Sequence, residues 1–230
     1  MPGRALEIGL AIADIRRSFE FWTQLGFGSA LTTDTWSHPY GVLTAPQISL
    51  GLHSAELASP LITLVRPDIA GLVPLLEERG VEPEHLRLGT EVFNELQFVD
   101  PSGLRVRVLE ARTFSPPPPL PPPLIGQFEA LSWPCTEPEA VTAFWERLHV
   151  DCVAADDWSL LRGDIGGFPV AWHSPRVARE PLLVFRHAGL PKLAEQLAAA
   201  GVTARPRALG FAHAHLLVTS PEGQQLAILA

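Results

Sequence analysis

EIGLAIADIRRSFEFWTQLGF, residues Glu7 to Phe27, is the stretch that decides how this chain folds. Its first part alternates, with Ile8, Leu10 and Ile12 on one side, the period-two pattern of a strand that lays one face on a core. Asp14 then stands where a side-chain oxygen can accept from the first amides of a helix. Ile15, Phe19 and Trp22 recur at helical spacing as far as Gly26, a residue suited to the left-handed turn that ends helices. One strand therefore runs straight into one amphipathic helix.

Three short β segments follow, the last being QISLGLHS, Gln47 to Ser54. The order then restarts with a strand at Leu61 to Val65, a helix from Ile69 to Arg79 stopped by Gly80, and strands ending in LRVRVLEA, Leu104 to Ala111. A βαβββ unit is thus read twice. The rest of the chain repeats the whole: FEFWTQLGF around Trp22 matches TAFWERLHV around Trp145, and His53-Ser54 matches His173-Ser174. Pro60-Leu61 matches Pro181-Leu182, Gly80-Val81 matches Gly201-Val202, and DPSG (Asp100 to Gly103) matches SPEG (Ser220 to Gly223). Five matches in one order at nearly constant spacing mark an internal duplication, with helices expected near Pro138 to Leu148 and Leu190 to Ala200. Between the halves, SPPPPLPPPL from Ser115 to Leu124 lacks the amide donors of a strand or helix and reads as a stiff polyproline II spacer.

Composition narrows the function classes. The 230 residues are 47% hydrophobic and 18% charged, enough for two domains of about 110 residues. Net charge is −8, and Lys192 is the one lysine among 17 basic residues, so no basic stripe exists to neutralise phosphates and nucleic acid is not an expected partner. No run of 18 apolar residues and no signal-like start is seen, which points away from a membrane and towards the cytoplasm. Cys135 and Cys152 fit neither a disulfide framework nor a zinc site and read as free thiols.

The strand-Asp-helix phrase at Glu7 to Phe27, the βαβββ order and the VDPSG turn before a terminal strand resemble the vicinal oxygen chelate superfamily of glyoxalases, bleomycin-resistance proteins and extradiol dioxygenases. The resemblance covers nearly the whole chain outside the linker. It implies an α+β fold of two tandem domains, each of paired βαβββ modules that form a cup-shaped mixed sheet with helices outside. Expected bounds are 1–112 for the first domain, 113–124 for the linker and 125–230 for the second. Catalytic members of the superfamily hold a divalent metal at four strand positions. In the first half these positions fall on Glu7, Ser49, Leu61 and Arg107, of which only Glu7 suits a metal; in the second they fall on Ala130, Pro169, Leu182 and Ala227, and a one-residue slip would bring in Glu129 instead of Ala130. No metal and no cofactor are expected. An ion pair between Glu7 and Arg107 is expected instead, closer than roughly 6 Å.

Further candidates carry two readings each. Trp36, Trp158 and Trp172 fall in or near strands that close the cups, where they could stack on a planar or cationic ligand or simply fill the barrel. Tyr40 and His38 could form a rim. His213 and His215, two apart on a predicted strand, could share a face and hold a metal or merely line the cup. His53 and His173 read as strand-end structure, and Trp22 and Trp145 as core. The expected function is metal-independent binding of a small molecule, an antibiotic or an aromatic or cationic metabolite, similar to bleomycin-resistance proteins. The alternative is a lyase, isomerase or oxygenase with a divergent metal site, or a metal-free enzyme with Glu7 as base and Arg107 facing an oxyanion. Expected partners are a small-molecule ligand and, within the chain or as a homodimer, a pseudo-twofold mate.

Overall fold

The computed structural model describes residues 2–30, 37–111, 120–155 and 157–230. The first half begins with β1 (Arg4–Ala11), α1 (Ile15–Gln24), β2 (Gly28–Ala30), β3 (Tyr40–Ala45) and β4 (Ile48–His53). It continues with β5 (Leu61–Arg66), α2 (Leu72–Glu78), β6 (His85–Arg87), β7 (Glu95–Val99) and β8 (Arg105–Glu110). The second half runs β9 (Gln127–Pro134), α3 (Pro138–Arg147), β10 (Cys152–Ala154), β11 (Leu161–Asp164) and β12 (Pro169–His173). It ends with β13 (Leu182–Arg186), α4 (Leu190–Ala199), β14 (Ala204–Pro206), β15 (His215–Thr219) and β16 (Gln225–Leu229). Each half forms one eight-stranded mixed sheet, ordered β2-β3-β4-β1-β5-β8-β7-β6 and β10-β11-β12-β9-β13-β16-β15-β14. The duplication read from the sequence is therefore a duplication of topology.

Local chemistry explains the element ends. The Asp14 carboxylate accepts from the Arg17 amide at 3.0 Å, as expected of a helix cap. The second helix starts three residues later than the sequence pattern predicts, because Asp68 adopts a left-handed conformation (φ 63°) and its carboxylate takes the Gly71 amide at 2.8 Å. That local bond holds Ile69 to Gly71 in a turn and delays the helix to Leu72. Residues 112–119, most of the proline-rich segment, lie outside the described residues. Its far end does more than span: Pro123 is buried, and the Leu124 amide donates to the Leu25 carbonyl at 2.8 Å. Gly26 (φ 94°) permits this approach, since a Cβ there would stand 2.8 Å from the Leu124 nitrogen.

The helix-facing side chains of both sheets belong to one apolar cluster that runs from Ile8, Leu10 and Trp22 through Phe98 to Phe128, Leu131, Trp145 and Phe185. Phe27 meets Phe185 edge-on at 6.3 Å, and Phe98 meets Trp145 at 6.2 Å, so the halves pack through their helix-bearing faces. The two most visible repeat motifs meet across this junction. Trp22 donates to Glu222 of the SPEG turn at 2.9 Å, and Trp145 donates to Asp100 of the DPSG turn at 3.0 Å. Each buried indole N–H thus finds its partner in the opposite half. No helix among the described residues is long and apolar enough to cross a membrane.

Candidate functional site

Strand alternation turns Ile8 and Leu10 of β1 towards the helices and Glu7, Gly9 and Ala11 towards the concave face. Register then gathers the neighbours. Glu7 pairs with Thr63 on β5, Thr63 with Arg107 on β8, Gly9 with Gly51 on β4, and His53 with Tyr40 on β3. Partnered residues point to the same side of a sheet, so these side chains share one cup. Glu7, His53, Thr63 and Arg107 are buried there, whereas Tyr40 and His38 are half-buried at its mouth.

Glu7 is the hub. Its carboxylate accepts from the Tyr40 hydroxyl at 2.5 Å and from His53 Nε2 at 2.9 Å. With the His53 proton on Nε2, its Nδ1 is an acceptor, and His38 Nε2 lies 3.0 Å from it and donates. The Tyr40 and His53 rings lie 4.7 Å apart. The Arg107 guanidinium donates to Thr63 Oγ1 at 3.1 Å and stands 3.8 Å from Glu7 Oε1. The expected pairing of Glu7 with Arg107 is present as a close approach, yet the hydrogen bonds of Glu7 go to Tyr40 and His53. Burial lowers the Arg107 pKa, opposed chiefly by Glu7. Burial, with smaller contributions from His53 and Arg107, also holds His38 below the usual imidazole value, so its neutral form prevails near neutrality.

Gly51 makes the arrangement sterically feasible. A Cβ at that position would fall 2.2 Å from Glu7 Oε2, so the carboxylate occupies the space a side chain would need. Ser49 shares the concave face and pairs with Thr44, without a hydrogen bond to the cluster among the described residues. Leu61 pairs with Gly9 on the same face and brings no donor atom.

The four positions that the sequence resemblance marks for a divalent ion do not suit one here. Both oxygens of Glu7 are committed, Leu61 has nothing to donate, and Arg107 puts a cation where the last ligand would stand. No group of three His, Cys, Asp or Glu side chains converges as a metal site among the described residues.

The second cup has the same register and different contents. Ala130 pairs with Val184 and Val184 with Ala227, as Glu7 does with Thr63 and Thr63 with Arg107. Pro169, in the place of Ser49, pairs with Asp164 at the start of β12. Ala130 holds the paired position as expected, while the bulge leaves Glu129 out of the pairing and its carboxylate accepts from Trp158 at 3.1 Å, Arg162 at 2.9 Å and Arg186 at 3.1 Å. Ala130, Trp158, Ala171, Leu182, Val184, Phe211 and Ala227 form one apolar cluster there. Trp158 thus fills this cup, with its N–H on Glu129 at 3.1 Å and Arg162 over its ring at 5.1 Å. His173, the counterpart of His53, is sealed between Ser132 Oγ (2.6 Å) and the Ala178 carbonyl (3.2 Å), and burial pushes its pKa down to about 4.

Several sequence expectations change. Trp172 is not a cup residue: it faces the junction between halves and donates to Asp100 (3.2 Å) and Ser102 (3.1 Å), because β12 turns its even-numbered side chains towards the helices. His213 is exposed in the loop before β15, so it shares no face with His215. His215 is buried and pins that loop, accepting from the Leu209 amide at 3.0 Å and approaching the His213 carbonyl at 2.9 Å. Trp36 lies outside the described residues. His53 and Thr63 were the missed members of the first cup. His53 follows Gly51 and Ser49 at period two, a signal that its place at the strand end obscured.

The sequence matches no protein-family model and no curated protein. Structural likeness is extensive. A catechol 2,3-dioxygenase superposes with a TM-score of 0.63 at 11% identity, over 98% of this chain and 87% of that one. The 2,3-dioxygenase LapB from Pseudomonas sp. KL28 gives 0.61 at 14% over 98% and 91%, and the Mn(II)-bound glyoxalase from Novosphingobium aromaticivorans gives 0.60 at 12% over 98% and 81%. The chain has the tandem vicinal oxygen chelate fold. Likeness at such identity establishes architecture; the chemistry of this vicinal oxygen chelate fold has to come from its own cups.

Proposed function

We propose that the protein binds a small aromatic molecule bearing a hydroxyl or other polar oxygen in its first cup, without a divalent metal. The observation that carries this reading is the Glu7–Tyr40–His53–Arg107–Thr63 cluster, its charged members buried at positions where the second cup has Ala130 and Ala227. Buried charges are costly, and their presence in the first cup where the matched positions of the second are alanines supports a role in recognition. The proteins of like fold include a catechol 2,3-dioxygenase, which supports an aromatic hydroxyl compound as the guest. A cationic guest fits less well, because Arg107 already supplies a positive charge on the floor. The continuous apolar junction supports a single chain as the functional unit.

Calorimetric titration with catechol tests the reading. One saturable site is expected, weakened at least about tenfold by Tyr40→Phe or Arg107→Gln, the loss of about one good hydrogen bond to a charged or polar group. Trp158→Phe, in the second cup, is expected to leave binding unchanged. Absence of saturable heat, or equal sensitivity to Trp158→Phe, would refute the assignment.

A further inference from the structure

On the helix-bearing side of the sheets, away from the cups, a cavity of about 100 Å³ lies where α2 of the first half meets the end of α3 in the second. Pro2, Leu72, Leu76 and Leu148 are its buried walls, and Leu75, Arg66, Arg79 and His149 complete it. No carboxylate lines it among the described residues. We propose that this cavity binds a small organic acid, its carboxylate met by Arg79 and His149 and its short apolar body held against the leucines.

Charge is the first argument. The chain has a net charge of −8, so a cavity with three basic lining residues and no acidic one runs against the charge of the whole. Neither Arg79 nor His149 forms an ion pair among the described residues. The end of α2 does not account for Arg79. The carbonyls that close this helix, those of Arg79 and Gly80, are met by Arg147 Nη1 at 3.0 and 3.3 Å, so Arg147 supplies the cation that such a terminus favours. Arg147 also ties the end of α2 to α3, which holds one wall of the cavity to the other.

His149 supplies the second. It follows α3 with φ 56°, a left-handed conformation that favours glycine, and its amide donates to the Glu146 carbonyl at 2.9 Å. The matched residue after α1 is Gly26, with φ 94° and its amide on the Thr23 carbonyl at 2.9 Å. The second half thus holds an exposed imidazole at the rim of the cavity where its twin uses glycine, at a conformational cost. Leu75 fits the same picture: 39% exposed, it forms an open apolar wall. The volume suits one small ring or a chain of a few carbons and is too small for a drug-sized guest. An arginine fork beside an imidazole favours a carboxylate over a neutral amide of the same shape.

The probe is benzoate, titrated into the full chain and followed through the methyl signals of Leu72, Leu76 and Leu148, which report on this cavity and not on the first cup. Saturable shifts are expected in wild type. Arg79→Gln is expected to weaken binding at least about tenfold, the loss of one charge-assisted hydrogen bond. His149→Gly is expected to weaken it as well and to keep the fold, since glycine suits that backbone. Arg107→Gln is expected to leave the binding constant unchanged. Benzamide, neutral with the same ring, and formate, a carboxylate without a ring, are each expected to bind at least about tenfold more weakly than benzoate. Absence of saturable methyl shifts would overturn the proposal. So would a binding constant that Arg79→Gln and His149→Gly leave unchanged, or benzamide or formate binding as tightly as benzoate. Weakening by Arg107→Gln alone would overturn it too, by assigning benzoate to the first cup.

Discussion

The two cups of this chain share register, strand order and helix placement, and differ in what their matched positions hold. Where the first has Glu7, Gly51, Thr63 and Arg107, the second has Ala130, Ala171, Val184 and Ala227. The differences are coupled: a glycine faces the carboxylate, and an alanine faces an alanine. His53 and His173 occupy one structural position, but the first joins a polar chain and the second a closed pair with Ser132. The two halves therefore keep one scaffold and differ at its matched concave positions, Glu7 and Arg107 in the first against Ala130 and Ala227 in the second.

The most drastic way to break the comparison is to give the second cup the hub of the first. Ala130→Glu places a second carboxylate beside Glu129, among Val184, Leu182 and Trp158 and with Ala227 where the first cup has Arg107, and a loss of about 4 kcal/mol in chemical denaturation is expected, the scale of an uncompensated buried charge. A loss under about 1 kcal/mol would show that this cup is not packed as described.

Next in size is the pH dependence of the sealed histidine. The unfolded chain protonates His173 near 6.5, the folded chain only near 4, so the unfolded state binds more protons between those values. Stability is expected to fall as pH drops through that window, by up to about 3 kcal/mol, and to level off below it. Comparison of wild type with His173→Gln isolates this contribution, and parallel pH profiles would contradict the burial of His173.

A smaller effect sharpens the contrast between matched small residues. Gly51→Ala must displace the Glu7 carboxylate and is expected to cost about 2 kcal/mol, whereas Ala171→Gly in the twin position costs about 1 kcal/mol through backbone freedom alone. Restoration of Gly51→Ala by Glu7→Ala would confirm the coupling, and additivity of the two would refute it.

The smallest expected effect concerns the matched first helices. Asp14 caps α1 through its side chain, while Glu137 at the start of α3 makes no such bond among the described residues. Asp14→Ala is expected to lower stability by about 1 kcal/mol and Glu137→Ala to change it little, as thermal unfolding would show.

The fold was legible because its cues are local and repeated. The alternation at Ile8 to Ile12, the Asp14 cap and the twin Trp and Gly signals each act within a few residues, and the duplication states them twice. The second helix begins three residues after the position that hydrophobic spacing predicts because the Asp68 carboxylate bonds a nearby backbone amide, a competition that the spacing does not reveal. The site was half legible. Glu7 and Arg107 fall on strand positions that the resemblance marks, and Tyr40 is expected as a rim residue, but His53 looks like a strand end and Thr63 is chemically modest. Their importance comes from register between strands distant in sequence. The place of Trp172 is not legible locally, because its side of β12 faces the other half, which no pattern within its own half announces.

The central claim is that the first cup binds and the second does not. Imidazole signals of His38 and His53 report on the first, and those of His173 and His215 on the second, in a single titration with 4-nitrophenol followed by nuclear magnetic resonance. Saturable shifts at His38 and His53 with His173 and His215 unmoved are the expected result. Shifts centred on His173 and His215, or none at His38 and His53, would contradict it.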